Sequence, residues 1–226
     1  MKLYDYVYQI LHTFPDAKFI YLCRDGRDVA CSEKKKLTGP QEVYQIAANW
    51  QEEQQKCLQI YHDLQSKENI IQVKYEQLIS QPILELQRIC NHVGLSFEEK
   101  MLTFYQRESS VKEAKAKALK NLNQPVLQNN IGKYRTELSA REVEIFEIVA
   151  QKELQVLKYP LTRTPKKNAI SKPLYYYYLI KNNLKSRMNS FRWLKEEKME
   201  ERQVILKRIY TKNKNISNYS EQRVEK

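Results

Sequence analysis

Glycine is scarce. The 226 residues hold only Gly26, Gly39, Gly94 and Gly132, and no two of them are close enough to form a glycine-rich phosphate loop. A run of about 18 apolar residues, the length a membrane-spanning helix needs, is also absent. The start Met1-Lys2-Leu3-Tyr4-Asp5 carries charge where a secretory leader needs unbroken apolar residues. A soluble, cytoplasmic protein is the expectation. The four cysteines, Cys23, Cys31, Cys57 and Cys90, form no C-x-x-C pair and each lies inside an apolar pattern. Buried thiols in a reducing compartment fit this better than disulfides or a zinc centre. Histidine is limited to His12, His62 and His92, each at a helix surface or boundary, so no metal site is expected.

With 42% hydrophobic and 11% aromatic residues, the chain is long enough for one domain with a real core. The net charge of +12 is unevenly placed: residues 1–156 hold 21 basic and 21 acidic side chains, whereas residues 157–226 hold 18 and 6. This pattern divides the chain into a neutral body over residues 1–160 and a basic, partly helical tail over residues 161–226. A uniformly basic domain would point to nucleic acid, but a neutral body does not, so no specific nucleic-acid partner is expected. One alternative makes the tail the working part. Lys166, Lys167, Lys181, Lys185, Arg187, Arg192, Lys207 and Arg208 would then bind an anionic membrane or RNA.

Helical spacing of Leu3, Val7, Ile10, Leu11 and Phe14 stops at Pro15-Asp16, and Lys18–Leu22 then reads as a buried parallel strand. From Asp28 the pattern is helical until Thr38-Gly39-Pro40; Val43, Ala47, Trp50, Cys57, Tyr61 and Leu64 mark a long helix. Asn69–Tyr75 is a second strand, and Pro82 to Gly94 bracket a further helix. Ser96-Phe97-Glu98-Glu99 and Ser139-Ala140-Arg141-Glu142 are capping-box patterns that each predict a helix start. Residues 106–136 read as a long polar loop, residues 174–180 as a short helix, 191–209 as a charged helix, and 211–226 as disordered. Strands alternating with helices give an α/β class with a parallel sheet.

The residues that carry chemistry begin where the first strand ends. Arg24 offers a planar fork to anion oxygens, and Ser32, placed eight residues on near the start of the next helix, offers a hydroxyl beside backbone N–H groups. Equally open on residue types alone, Arg24, Asp25, Arg27 and Asp28 neutralise one another on a solvated turn. Further along, Gly132 permits close backbone approach to an oxyanion, Lys133 and Arg135 add positive charge, and Tyr134 offers a flat face to a base or to the core.

The run Phe14 to Ser32 resembles the 3′-phosphate-binding segment of sulfotransferases that use 3′-phosphoadenosine 5′-phosphosulfate (PAPS). In that family a strand ends in Arg and a Ser follows at this spacing. Val73-Lys74-Tyr75-Glu76-Gln77-Leu78 is similar to the family's second strand and "YE-L" turn, and Asn130-Ile131-Gly132-Lys133-Tyr134-Arg135 to its closing phosphate loop. Arg-Asp-Gly-Arg with Tyr-Glu-Gln-Leu looks closer to the tyrosylprotein sulfotransferases and their bacterial relatives than to the cytosolic steroid and phenol enzymes.

The resemblance implies a P-loop-like three-layer parallel sheet with helices on both faces. It also implies PAPS as co-substrate, held by Arg24, Ser32, Tyr75, Gly132, Lys133, Tyr134 and Arg135, and a small-molecule, glycan or protein acceptor offering a hydroxyl or amine. The family's upstream phosphate-loop strand and its general base have no counterpart here, so the catalytic residue is unassigned. Read this way, the chain is an N-terminally truncated form, through a misplaced start or fragmentation. Supply of the missing half by another polypeptide, or decay to a noncatalytic nucleotide-binding remnant, are the alternatives.

Overall fold

The computed structural model describes residues 2–36, 39–106, 130–162, 173 and 176–189. Strands β1 (Phe19–Cys23) and β2 (Ile70–Lys74) pair in parallel, in register from Phe19↔Ile70 to Cys23↔Lys74. Parallel neighbours need a long crossover, which here contains helices α2 (Gly26–Glu33) and α3 (Val43–Leu64). A 3₁₀ turn at Leu3–Tyr6 leads into α1 (Val7–Thr13) ahead of β1. The described part is mixed α/β, mostly helical, with this small two-stranded sheet, against the larger three-layer sheet that the resemblance implies.

Side-chain alternation along β1 gives the sheet two unlike faces. Phe19, Tyr21 and Cys23 point into the main core with Val43, Ile46, Ala47 and Trp50 of α3 and Phe146 of α7 (Ala140–Val149). On the opposite face, α4 (Tyr75–Ser80) and α5 (Pro82–Val93) pack on β2, where Val73 is fully buried. Over β1 that face is open, and Ile20 and Leu22 are exposed. Gly94, at φ +72°, supplies the left-handed residue that closes α5. All four cysteines are free, and Cys23, Cys31 and Cys90 are buried.

Two local expectations need correction. Helix α2 starts at Gly26 rather than Asp28, because the Asp25 carboxylate caps it by accepting the Arg27 backbone N–H at 2.9 Å. Ser32 therefore lies in the last turn of the helix, away from its N-terminal dipole. The Ser96 box does not form: a kinked 3₁₀ segment begins only at Glu99. The Ser139 box does form, with Ser139 and Glu142 bonding reciprocally at the start of α7. Residues Tyr134–Glu137 (α6) turn helical at the end of the expected loop, most of which, residues 107–129, lies outside the described residues. Helix α8 (Gln151–Val156) follows α7. The helix expected at 174–180 is found over 176–189 (α9); residues 191–209 and 211–226 lie outside the described residues.

Gly26 shows how tightly the crossover is seated. A Cβ there would stand 2.4 Å from Phe146 Cζ and 2.6 Å from Trp50 Cδ2. Those two rings pack with centroids 5.6 Å apart and cannot retreat without opening the core. Gly26→Ala is expected to lower unfolding free energy by about 1–3 kcal/mol through overpacking, read from the urea midpoint. An unchanged midpoint would show that the ring pair yields freely.

Candidate functional site

Beyond β1 the chain carries four charges in five residues, Arg24-Asp25-Gly26-Arg27-Asp28, and they are not a solvated turn: Arg27 and Asp28 are fully buried and Asp25 nearly so. Arg27 donates through Nε and Nη2 to the two oxygens of Asp25, at 3.0 and 2.7 Å, and through Nη1 to Glu147 Oε1 at 2.5 Å. Its guanidinium lies 4.1 Å from the centre of the Tyr134 ring. Burial alone would favour the neutral form, but the hydrogen bonds and charges of its partners outweigh it and push the Arg27 pKa up. Glu147 is completed by the N–H and hydroxyl of Thr162, both at 2.9 Å.

Asp28 does a different task. Its two oxygens accept the backbone N–H groups of Gly132, at 2.6 Å, and Tyr134, at 3.0 Å. A segment more than a hundred residues away in sequence is thereby pinned to the first turn of α2. Gly132 has φ +71°, which any side chain would strain, so the glycine is what lets both amides turn toward one carboxylate. From the other side, Glu76 at the start of α4 accepts the Asp25 N–H at 2.9 Å and the Tyr159 hydroxyl at 2.9 Å.

Arg24 sits among these anchors. Its Nη2 donates to the Asn130 carbonyl at 2.6 Å, its guanidinium is 4.4 Å from the centre of the Tyr75 ring, and it approaches Asp28 at 4.0 Å. Asn130 Nδ2 in turn donates to the Tyr75 hydroxyl at 2.5 Å. Arg24 Nε is buried and has no partner among the described residues, an unusual state for a guanidinium N–H. A small oxyanion is the kind of acceptor that would complete it.

The structure brings Arg24, Tyr75 and Gly132 together at the carboxyl ends of the two strands. Ser32 lies one turn beyond Asp28, donating to the Asp28 carbonyl at a long 3.4 Å, so Arg24 and Ser32 both adjoin Asp28. Lys133 is half-buried at the start of α6, and its ammonium makes no hydrogen bond or ion pair among the described residues. Tyr134 is buried under Arg27, the core placement of the two that the residue types left open. Arg135 is exposed, 5.7 Å from the Tyr134 ring.

Sequence reasoning passed over Asp25, Arg27, Asp28, Glu76, Asn130 and Glu147 as working parts. Five of the six lay inside motifs already singled out, where acids beside Arg24 are themselves a signal of scaffolding. Glu147, on an amphipathic helix, gave none.

Residues 2–99 match the family model described as the sulfotransferase family. The match spans Arg24, Ser32 and Tyr75 and stops short of residues 130–135, and it indicates sulfuryl transfer as the general class of chemistry. No curated protein matches the chain.

Asp28→Asn keeps the shape but places an amide N–H₂ against a backbone N–H that needs an acceptor. A stability loss of about 1–3 kcal/mol is expected. It should be accompanied by faster hydrogen exchange at the Gly132 amide than at amides of α3. Wild-type exchange at Gly132 would show that Asp28 does not hold the loop.

Proposed function

We propose that the chain binds the nucleotide end of PAPS and serves in sulfuryl transfer to a hydroxyl or amine acceptor. The observation that carries this reading is the buried, unfilled Nε of Arg24 at the tip of β1, where two strand ends and the Gly132 loop converge. Arg24, with the Ser32 hydroxyl and the Lys133 ammonium, would hold the 3′-phosphate, with Arg135 adding positive charge nearby. Tyr75 already stacks on Arg24 and fixes the direction of its fork. PAPS, when bound, supplies the activated sulfuryl group. Holding its ribose phosphate rigidly is a means of aiming the sulfur at the acceptor, since transfer of this kind depends on alignment and charge stabilisation.

One feature favours a second reading, nucleotide binding without turnover. Among the described residues, Asp25, Asp28 and Glu76 are the carboxylates of this cluster, and every one of their oxygens is engaged: by Arg27, by the Gly132 and Tyr134 amides, and by the Asp25 amide and Tyr159 hydroxyl. Each already holds a structural contact, with which service as a general base would compete.

Calorimetric titration of the full chain with 3′,5′-adenosine bisphosphate tests the common part. Arg24→Ala is expected to weaken binding by about 1.5–3 kcal/mol, the range for a hydrogen bond to a charged group, with Arg24→Lys intermediate because it keeps charge but not the fork. Equal affinity of Arg24→Ala and wild type, with both folded by circular dichroism, would refute the site. Transfer of labelled sulfate from PAPS to a hydroxyl or amine acceptor, with release of 3′,5′-adenosine bisphosphate, would separate turnover from binding alone.

A further inference from the structure

Helix α9, residues 176–189, has its polarity reversed. An ordinary surface helix turns apolar residues inward and charged residues outward. Here the polar side chains face the body. Asn182 Oδ1 accepts the N–H groups of Gln41 and Glu42, at 2.9 and 3.2 Å, and Ser186 donates to the Gly39 carbonyl at 3.2 Å. Lys181, at 3.1 Å, and Lys185 both pair with the buried Glu42 carboxylate. Tyr178 is the apolar part of the docked face, stacked on Tyr44 with centroids 5.7 Å apart and planes 9° apart.

The residues left on the outer face are Tyr177, Ile180, Leu184 and Met188, which are 54%, 62%, 58% and 66% exposed. Their spacing of three, four and four puts them in one stripe along about 17 Å of helix. Tyr176, Asn183 and Arg187 flank the stripe on one side. Because the inward face is fixed by the Glu42 and Asn182 contacts, the stripe cannot rotate into the core.

We infer that this stripe is a docking surface for an anionic phospholipid membrane, with α9 lying in the plane of the headgroups. Charge selects the occupant. Residues 176–189 hold no acid; Glu42 matches part of the charge of Lys181 and Lys185, and Arg187 adds a third cation. Residues 157–226 carry the chain's entire surplus, 18 basic against 6 acidic side chains. A second copy packed stripe to stripe would bring two such segments together and be repelled, whereas acidic lipid attracts them. The composition of the stripe fits an interface: Ile180, Leu184 and Met188 for the acyl boundary, Tyr177 for the headgroup level, and Arg187 able to extend to phosphate. No helix among the described residues is long and apolar enough to cross a membrane, so the helix would lie on the bilayer. The proposal is independent of the sulfotransferase reading, since none of its residues belongs to the Arg24 site.

Co-sedimentation of the full chain with vesicles of phosphatidylcholine, with and without phosphatidylserine, tests it. Wild type should pellet with the serine-containing vesicles, stay in solution with neutral ones, and be released by raised salt. The double variant Ile180→Glu/Leu184→Glu should bind roughly tenfold or more weakly, because charge at the acyl boundary is strongly disfavoured. Both positions are exposed, and the thermal melt checks that the variant folds. A Leu184→Trp variant gives a second readout that needs no loss of function: its emission should shift to the blue on anionic vesicles. The inference is overturned by wild-type protein that stays in solution with anionic vesicles, by a double variant that pellets as well as wild type, or by a Leu184→Trp variant whose emission does not shift. A double variant that converts a dimer to a monomer while leaving vesicle binding unchanged would assign the stripe to self-association instead.

Discussion

Burial of Arg27 organises the region around β1. A fully desolvated guanidinium persists only if its donors and charge are matched, and three elements supply the match: Asp25 from the turn, Glu147 from α7 and the Tyr134 ring from α6. Such a cluster adds little net stability over well-packed apolar residues, but removal of one member leaves an uncompensated charge and costs about 3–5 kcal/mol. Its consequence is geometric. With Arg27 turned inward, Asp28, the next residue, reaches the Gly132 and Tyr134 amides, and Arg24, one turn earlier, remains at the strand tip with an unfilled donor.

The same logic explains why the charges at this turn divide their work. Two arginines three residues apart have opposite environments: Arg27 is saturated and inward, whereas Arg24 holds one backbone carbonyl and one aromatic face. A saturated guanidinium is structural. An under-coordinated one at the end of a parallel strand, beside the Asp28 carboxylate that holds the Gly132 loop, is suited to binding an anion. The open side of β1, with Ile20 and Leu22 exposed, lies along the strand that leads to this site.

Elements set by periodicity were legible before any coordinates: both strands, the long helix Val43–Leu64, and the helix from Pro82 closed by Gly94 agree closely with their sequence patterns. Local competition was harder to read. Asp25 moved the start of α2 by capping it two residues early, which left Ser32 in the last turn. Ser96 carried the letters of a capping box, but a 3₁₀ segment starting at Glu99 took its place. At the site, residue types pointed to Arg24 and Gly132 and the family resemblance to Tyr75, and the fold brings these three together. They did not reveal that Arg27 is buried and saturated, because that depends on Glu147, more than a hundred residues away. The inverted polarity of α9 was equally hidden, since a Lys- and Tyr-rich helix reads the same from sequence whichever face is docked.

Heteronuclear NMR of the full chain titrated with 3′,5′-adenosine bisphosphate tests most directly whether the turn after β1 and the Gly132 loop form one anion site. The account predicts that the Arg24 Nε–H resonance and the Gly132 and Lys133 amides shift together with a single dissociation constant, while the buried Arg27 Nε–H stays in place. Shifts confined to one of the two segments, or different constants for each, would contradict a shared site.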